Sequence, residues 1–402
     1  MGKMKIQGYI RENGEVGIRN HVLVLSATRA SHILAAKIAE NVSGAKHFVA
    51  CDEDGKSASD RATMSRVFIG LGCNPNVHSV VVVCNKKNEG YPEMQPGFIA
   101  DSIRKSGKEV FLLSVEESGG FYNALGEGIR ISRRFSENAS AVRTGEVDFG
   151  KLKIGIKCGL SDATSGLTGN PVVGYMADRL IEAGGTVIFS ETTEVIGAER
   201  ILAERCVSDS VKADFLNAVF LTEEEARKTG EDIRTINPIP ANIEAGISTL
   251  EEKSLGAMAK TGNSMIQGVL SYGQIPDGAG LYFMDSWMSS SSLFLGYASC
   301  GAALTLFLMG GMALPENPPM PAISTGLVAP ILYASGNPRT AAKAADEIDF
   351  NAGLVLEKKE TIAEAGERLI KHICDIASGR KTKSETWRYQ DPVEIFLRGP
   401  NL

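Results

Sequence analysis

The chain lacks the short signatures of the common nucleotide and hydrolase chemistries. No G-x-G-x-x-G follows the first apolar run, and G-x-x-x-x-G-K-[ST], G-x-S-x-G and H-E-x-x-H are all absent. Dinucleotide, phosphate-loop, serine-hydrolase and zinc-protease chemistry lose their usual support, and no nucleotide cofactor is expected. Seven cysteines are scattered without a C-x-x-C pair, and no leader-like stretch precedes them. That pattern argues against a disulfide framework or a zinc ribbon and points to a reducing cytoplasm. A basic surplus is missing too: 42 Lys and Arg stand against 48 Asp and Glu, a net charge of −6, so no nucleic-acid partner is expected.

One uncharged stretch, 286–315, is apolar enough to raise the question of a membrane span. Glycines at 296, 301, 310 and 311 interrupt it, and no Lys or Arg flanks it closely. A buried helix over 291–302 and a buried strand over 303–309 account for it, with no membrane contact.

What is present is an ordinary globular composition, 43% hydrophobic and 22% charged over 402 residues. At roughly 150 residues per domain this length suggests two or three domains. Apolar runs at 22–26, 47–51, 79–84 and 110–115 alternate with helical patterns at 31–41, 59–71 and 120–136. After a pattern-poor stretch, 139–151, alternation resumes. Strands are expected at 152–157, 186–190, 281–285 and 331–334. Helices are expected at 171–183, 194–205, 211–228, 249–260 and 362–378, and the prolines of 237–240 favour extended chain there. Strands alternating with helices predict an α/β protein of two Rossmann-like, doubly wound domains with mainly parallel sheets, over 1–140 and 150–402.

In such sheets ligands bind beyond the carboxyl ends of the strands. Three segments fall there. Residues 158–170 pack a thiol, a carboxylate, hydroxyls and glycines between strand and helix, with Asn170 as N-cap and Pro171 at the first helical position. Glu191 and Glu194 are three apart at a helix start, where they would share a face and hold a cation or a proton, or simply cap the helix. Asp285 ends a strand. Thr249 and Glu252 read as a capping box beside Glu244, Glu251 and Lys253. His32, His78 and His372 read as structural or solvated, while His21 and His47 stay open.

Several stretches resemble one family, the altronate/galactarate dehydratase family of sugar-acid lyases. They are 14–20 (GEVGIRN), 71–77 (LGCNPNV), 158–171 (CGLSDATSGLTGNP), 183–199 (AGGTVIFSETTEVIGAE) and 237–256 (NPIPANIEAGISTLEEKSLG). The tail segments 349–353 (DFNAG) and 377–385 (ASGRKTKSE) also match, so the likeness covers nearly the whole chain. Lys157-Cys158-Gly159 and Met284-Asp285-Ser286 look closer to the sulfolactate sulfo-lyase large subunit within that family. The chain departs from the family's pattern at 49–55, 85–87 and 310–315.

The resemblance implies dehydration of an aldonic or aldaric acid to a 2-keto-3-deoxy acid, or elimination of sulfite. Both begin with loss of the C2 proton. It implies a divalent metal, iron(II) first and manganese or magnesium as alternatives. It also implies a separate small subunit in place of an extra N-terminal domain, and a homo-oligomer. Residue type, strand-end placement and motif match nominate Cys158, Asp162, Glu191 and Asp285 for the metal. Lys253 is the expected base, with Glu194 and Asp162 assisting. Arg19, Asn20, Ser161, Ser165, Asn170, Asn242 and Glu251 are the expected substrate contacts. A nucleotide-dependent oxidoreductase and a non-catalytic subunit descended from such lyases are the competing classes.

Overall fold

The computed structural model describes residues 4–49, 53–311, 326–386 and 394–400. Cys51 and most of the divergent segment 310–315 lie outside them. The described strands are β1 (Lys5–Ile10), β2 (Val16–Gly17), β3 (His21–Ser26), β4 (Ala45–Val49), β5 (Val77–Cys84), β6 (Glu109–Ser114) and β7 (Gly145–Asp148). They continue with β8 (Lys153–Gly159), β9 (Thr186–Ser190), β10 (Ile266–Leu270), β11 (Gly280–Met284), β12 (Leu304–Met309), β13 (Ile331–Ser335) and β14 (Phe350–Asn351).

Two parallel sheets form, in the orders β4-β3-β5-β6 and β10-β11-β9-β8-β12-β13-β14. The α/β architecture expected from the sequence is therefore the one observed. β5 shows why: its run VHSVVVVC is buried along nearly its whole length, as a β-branched central strand covered on both faces must be. The uncharged stretch resolves into the helix Ser290–Ser299 and β12, both buried, and among the described residues no helix is long and apolar enough to cross a membrane.

The structure adds a small antiparallel ribbon, β2-β1-β7. The pattern-poor stretch 139–151 is not irregular. Its first residues complete the helix Phe121–Ala141, and β7 pairs Asp148 with Lys5 and Val147 with Ile6. β7 reads GEVD, four residues without periodicity, so only pairing with the distant β1 defines it. The expected helix at 194–205 is instead two short ones, Thr192–Val195 and Glu199–Ala203. The 237–240 stretch is flanked by helical turns Ile233–Ile236 and Pro240–Glu244, with Pro240 in the first turn, where its missing N–H costs nothing.

One apolar core runs between the two parallel sheets, from Leu23, Leu25 and Val80 to Ile188 and Met284. The helices Ala58–Cys73 and Ser290–Ser299 cross within it. They meet at Gly70, where a Cβ would lie 2.3 Å from the Ser299 carbonyl oxygen. In the larger sheet the chain leaves β8 for β9 on one side and later returns to add β12 on the other. That reversal opens a crevice past the carboxyl ends of β8 and β12.

Candidate active site

Two non-glycine residues just past neighbouring strands sit in the left-handed region, Leu160 (φ 48°) after β8 and Glu191 (φ 76°) after β9. Each costs on the order of 1–3 kcal/mol, and such strain concentrates at functional sites. The chain after Leu160 does not run as a loop to an Asn170 cap. It is already helical from 163, with a π-turn over Ser165–Gly169. Asp162 does the capping, its Oδ1 accepting from the N–H of Thr164 at 2.9 Å and of Ser165 at 3.2 Å. Asn170 is thereby released from capping. Its Nδ2 donates to Cys158 Sγ at 3.4 Å and to the Gly256 carbonyl at 2.9 Å.

The helix Leu250–Met258 closes on this turn, because Gly166 and Gly256 let the two backbones approach; a Cβ on Gly166 would lie 3.0 Å from Gly256 Cα. Between them is a cavity of about 520 Å³, within the range of ligand pockets. Cys158, Ser161, Asp162, Ser165, Asn170 and Lys253 all line it. Asn242 joins them from behind, donating from Nδ2 to the Ser161 carbonyl at 2.9 Å.

Charge is concentrated behind the cavity. Lys157 Nζ bonds Glu191 at 2.6 Å, with both side chains buried. Lys260 pairs with Glu194, also buried. Lys253 meets no carboxylate in these contacts: its Nζ donates to Asn237 Oδ1 at 2.6 Å and Asn242 Oδ1 at 3.0 Å. Burial pushes Lys253 down from the ordinary lysine value, although Glu194 and Glu191 pull the other way. Burial and nearby Glu194 push the Glu191 carboxyl up against the pull of Lys157, and burial pushes the Cys158 thiol up. Lys157 is itself raised, because Glu191 and Glu194 outweigh its burial. Three buried lysines thus face two glutamates around a neutral thiol. The surplus is removed either by deprotonating Lys253 or by admitting an anion.

Other nominated residues have different occupations. Asp162 is saturated: besides the Thr164 and Ser165 donors, its Oδ2 accepts from Gly311 N–H at 2.7 Å and Asn337 Nδ2 at 2.9 Å. Asp285 is held by Thr192 Oγ1 and Arg398 Nη2, each at 2.7 Å. Glu191 and Glu194 do not share a face around one cation, since the left-handed turn at Glu191 sends each to its own lysine. The four nominated metal donors therefore do not fit a ligand set as they stand. Among the described residues no three His, Cys, Asp or Glu side chains are grouped to hold a metal.

Arg19 spends its fork on Glu385, at 2.7 and 2.6 Å, and Asn20 Nδ2 holds the Ala139 carbonyl, both away from this cavity. Glu251 pairs with Arg234 at the surface. Sequence reasoning missed Lys157, Lys260 and Asn237 as site residues. For Lys157 a signal was available, a lysine inside the otherwise apolar strand KIGIKCG.

Replacing Asp162 by alanine strands the donors on Gly311 and Asn337 together with the helix cap. We expect a stability loss of about 1–3 kcal/mol. An unchanged urea midpoint would show that the carboxylate does not anchor this loop.

A larger cavity of about 1020 Å³ lies at the amino ends of β3 and β4, beside His21, Ala45 and Lys46. It is on the wrong side of its sheet for catalysis in open α/β folds, so the smaller cavity is the candidate active site.

Comparison with known proteins agrees with the fold. Residues 149–399 match the family described as D-galactarate/Altronate dehydratase, C-terminal. Residues 8–140 match D-galactarate dehydratase/Altronate hydrolase, second domain. The chain is 34% identical over 389 residues to (2R)-sulfolactate sulfo-lyase subunit beta of Chromohalobacter salexigens, covering 96% of both chains. It is 30% identical over 343 residues to galactarate dehydratase (L-threo-forming) of Escherichia coli, covering 83% of this chain and 63% of that one. It is 27% identical to altronate dehydratase of Bacillus subtilis over 414 residues, 98% of this chain and 78% of the relative. The parallel sheets, the strand-end cavity and these matches along both halves place the chain in the D-galactarate/altronate dehydratase family.

Proposed function

We propose that this chain catalyses β-elimination from a small hydroxy acid, dehydrating a sugar acid such as altronate or galactarate to a 2-keto-3-deoxy acid. The carrying observation is Lys253, a buried amine at the cavity wall whose contacts are two neutral amide oxygens. Its depressed basicity supplies the free amine as acceptor for the C2 proton. The C2–H pair then forms the C2–C3 double bond of an enol as the C3–O bond breaks, and the hydroxide leaves as water on taking a proton. Tautomerisation returns a proton to C3 and leaves the 2-keto acid. The cationic surplus of Lys157, Lys253 and Lys260 over Glu191 and Glu194 favours a substrate carboxylate and the negative charge that develops beyond it. Ser161, Ser165 and Asn170 supply hydroxyl and amide groups for the substrate's hydroxyls.

The near full-length match to a sulfo-lyase subunit favours a second reading, in which sulfite is the leaving group and the carbon chemistry is unchanged. That relative's designation as subunit beta also supports a separate partner subunit for this chain. A homo-oligomer working in a reducing cytoplasm completes the proposal, and the six described cysteines are all free thiols.

The test is NMR in D₂O with a panel of 2,3-dihydroxy acids and 3-sulfolactate. Loss of a C2 proton signal with appearance of a 2-keto acid is the expected result. Binding without exchange, even after a divalent metal and the partner subunit are added, would assign the chain to a non-catalytic subunit.

A further inference from the structure

The larger cavity has its own chemistry, independent of the reading above. Its walls come from four places: the starts of β3 and β4, the end of the helix His32–Glu40 with the turn after it, the ribbon side at Tyr9 and Thr144, and the turn after the helix Ile362–Ala377. Arg19 and Glu385 form a clamp across it, and Arg19 also donates to the carbonyls of Ile18, Ile376 and Arg380. Glu385 is thus neutralised. Glu40, the other carboxylate on the wall, bonds Lys37 at 2.7 Å.

Two cations on the wall are left over. Lys46 is half-buried and Lys381 exposed, and neither meets a carboxylate among the described residues. Burial pushes Lys46 down from the ordinary lysine value and Glu385 pulls it back up, while Arg19 and Lys381 push it further down. His21 adds no charge, since burial holds it neutral, pushed down to about 3. Asn20 lines the same cavity, and its Oδ1 is buried with no hydrogen-bond partner among the described residues.

We propose that this cavity is a second binding site, for a small dianion held by Lys46 and Lys381. Two anionic groups match two unpaired ammonium groups, and a volume of about 1020 Å³ holds such a molecule with water to spare. A phosphate ester and a hydroxylated dicarboxylate share this chemistry.

The test is calorimetric titration of the full chain with inorganic phosphate and, separately, with tartrate. Wild type and Lys253→Met should bind one or both, more weakly as salt is added. Lys46→Met and Lys381→Ser should each weaken binding about tenfold or more, as loss of a charged hydrogen-bond donor does. Phosphate binding alone would identify the phosphate-ester class, and tartrate binding alone the dicarboxylate class. No heat with either probe, or affinities unchanged in both lysine variants, would overturn the site. Loss of binding only in Lys253→Met would overturn it too, by assigning the ligand to the catalytic cavity. Lys381 is exposed, so its variant decides the matter should Lys46→Met fail to fold.

Discussion

Lys253→Met is expected to fold normally and to eliminate at a rate lowered about 10²–10⁴-fold, the usual contribution of a positioned base. Arginine separates the two roles available to this lysine. Lys253→Arg keeps a cation for a substrate carboxylate but cannot give up its proton. If Lys253 only binds, the arginine variant retains substantial activity; if it is the base, both variants lose C2 proton exchange. The pH profile supplies a second check. Wild-type kcat/KM should rise with pH through a value below the ordinary 10.5, because burial depresses Lys253, and that limb should vanish in both variants. Stability follows with the sign worked out. A lysine depressed in the folded state binds fewer protons there than in the unfolded chain, so it costs stability below 10.5 and the cost fades as pH rises. Lys253→Met removes that cost, and a destabilised variant would mean the bonds to Asn237 and Asn242 hold the fold.

Lys260→Met should have the larger effect on stability, about 3–5 kcal/mol, as expected when a buried pair loses one member. Lys260 is 1% exposed and Glu194 3%, so water cannot take the lysine's place. Lys157 is already engaged with Glu191 at 2.6 Å. Against a total of roughly 5–15 kcal/mol this single change brings the fold near its limit. Lys260→Met combined with Glu194→Gln removes the stranded charge and should recover much of the loss. Urea denaturation reads both. A single variant within about 0.5 kcal/mol of wild type, the usual range for surface changes, would show that Glu194 needs no cationic partner.

Much of the fold was legible because its causes are local. A run such as VHSVVVVC can only be a buried strand, and the expected strand over 186–190 coincides with β9. Thr361 with Glu364 forms a reciprocal capping box at the start of the helix Ile362–Ala377, near the expected 362–378. Placement of 158–170 and of Glu191 beyond strand ends needed only the alternation of strands and helices. Backbone pitch sets these periodicities, so a window of ten residues contains them.

The partners of the charged groups were not legible, because they lie far away in sequence. Glu191 takes a lysine 34 residues back, Glu194 one 66 residues on, and Arg19 a carboxylate 366 residues away. Composition and spacing singled out the acids as donors for a cation. The folded chain had already spent them on its own lysines and arginines, and among the described residues Lys253 donates to two amide oxygens. Apolar burial can be read from the periodicity of one segment, whereas a charge takes whichever group the assembled sheets bring within about 3 Å. The elements were thus legible in the sequence, whereas which carboxylate each buried lysine meets was decided by packing.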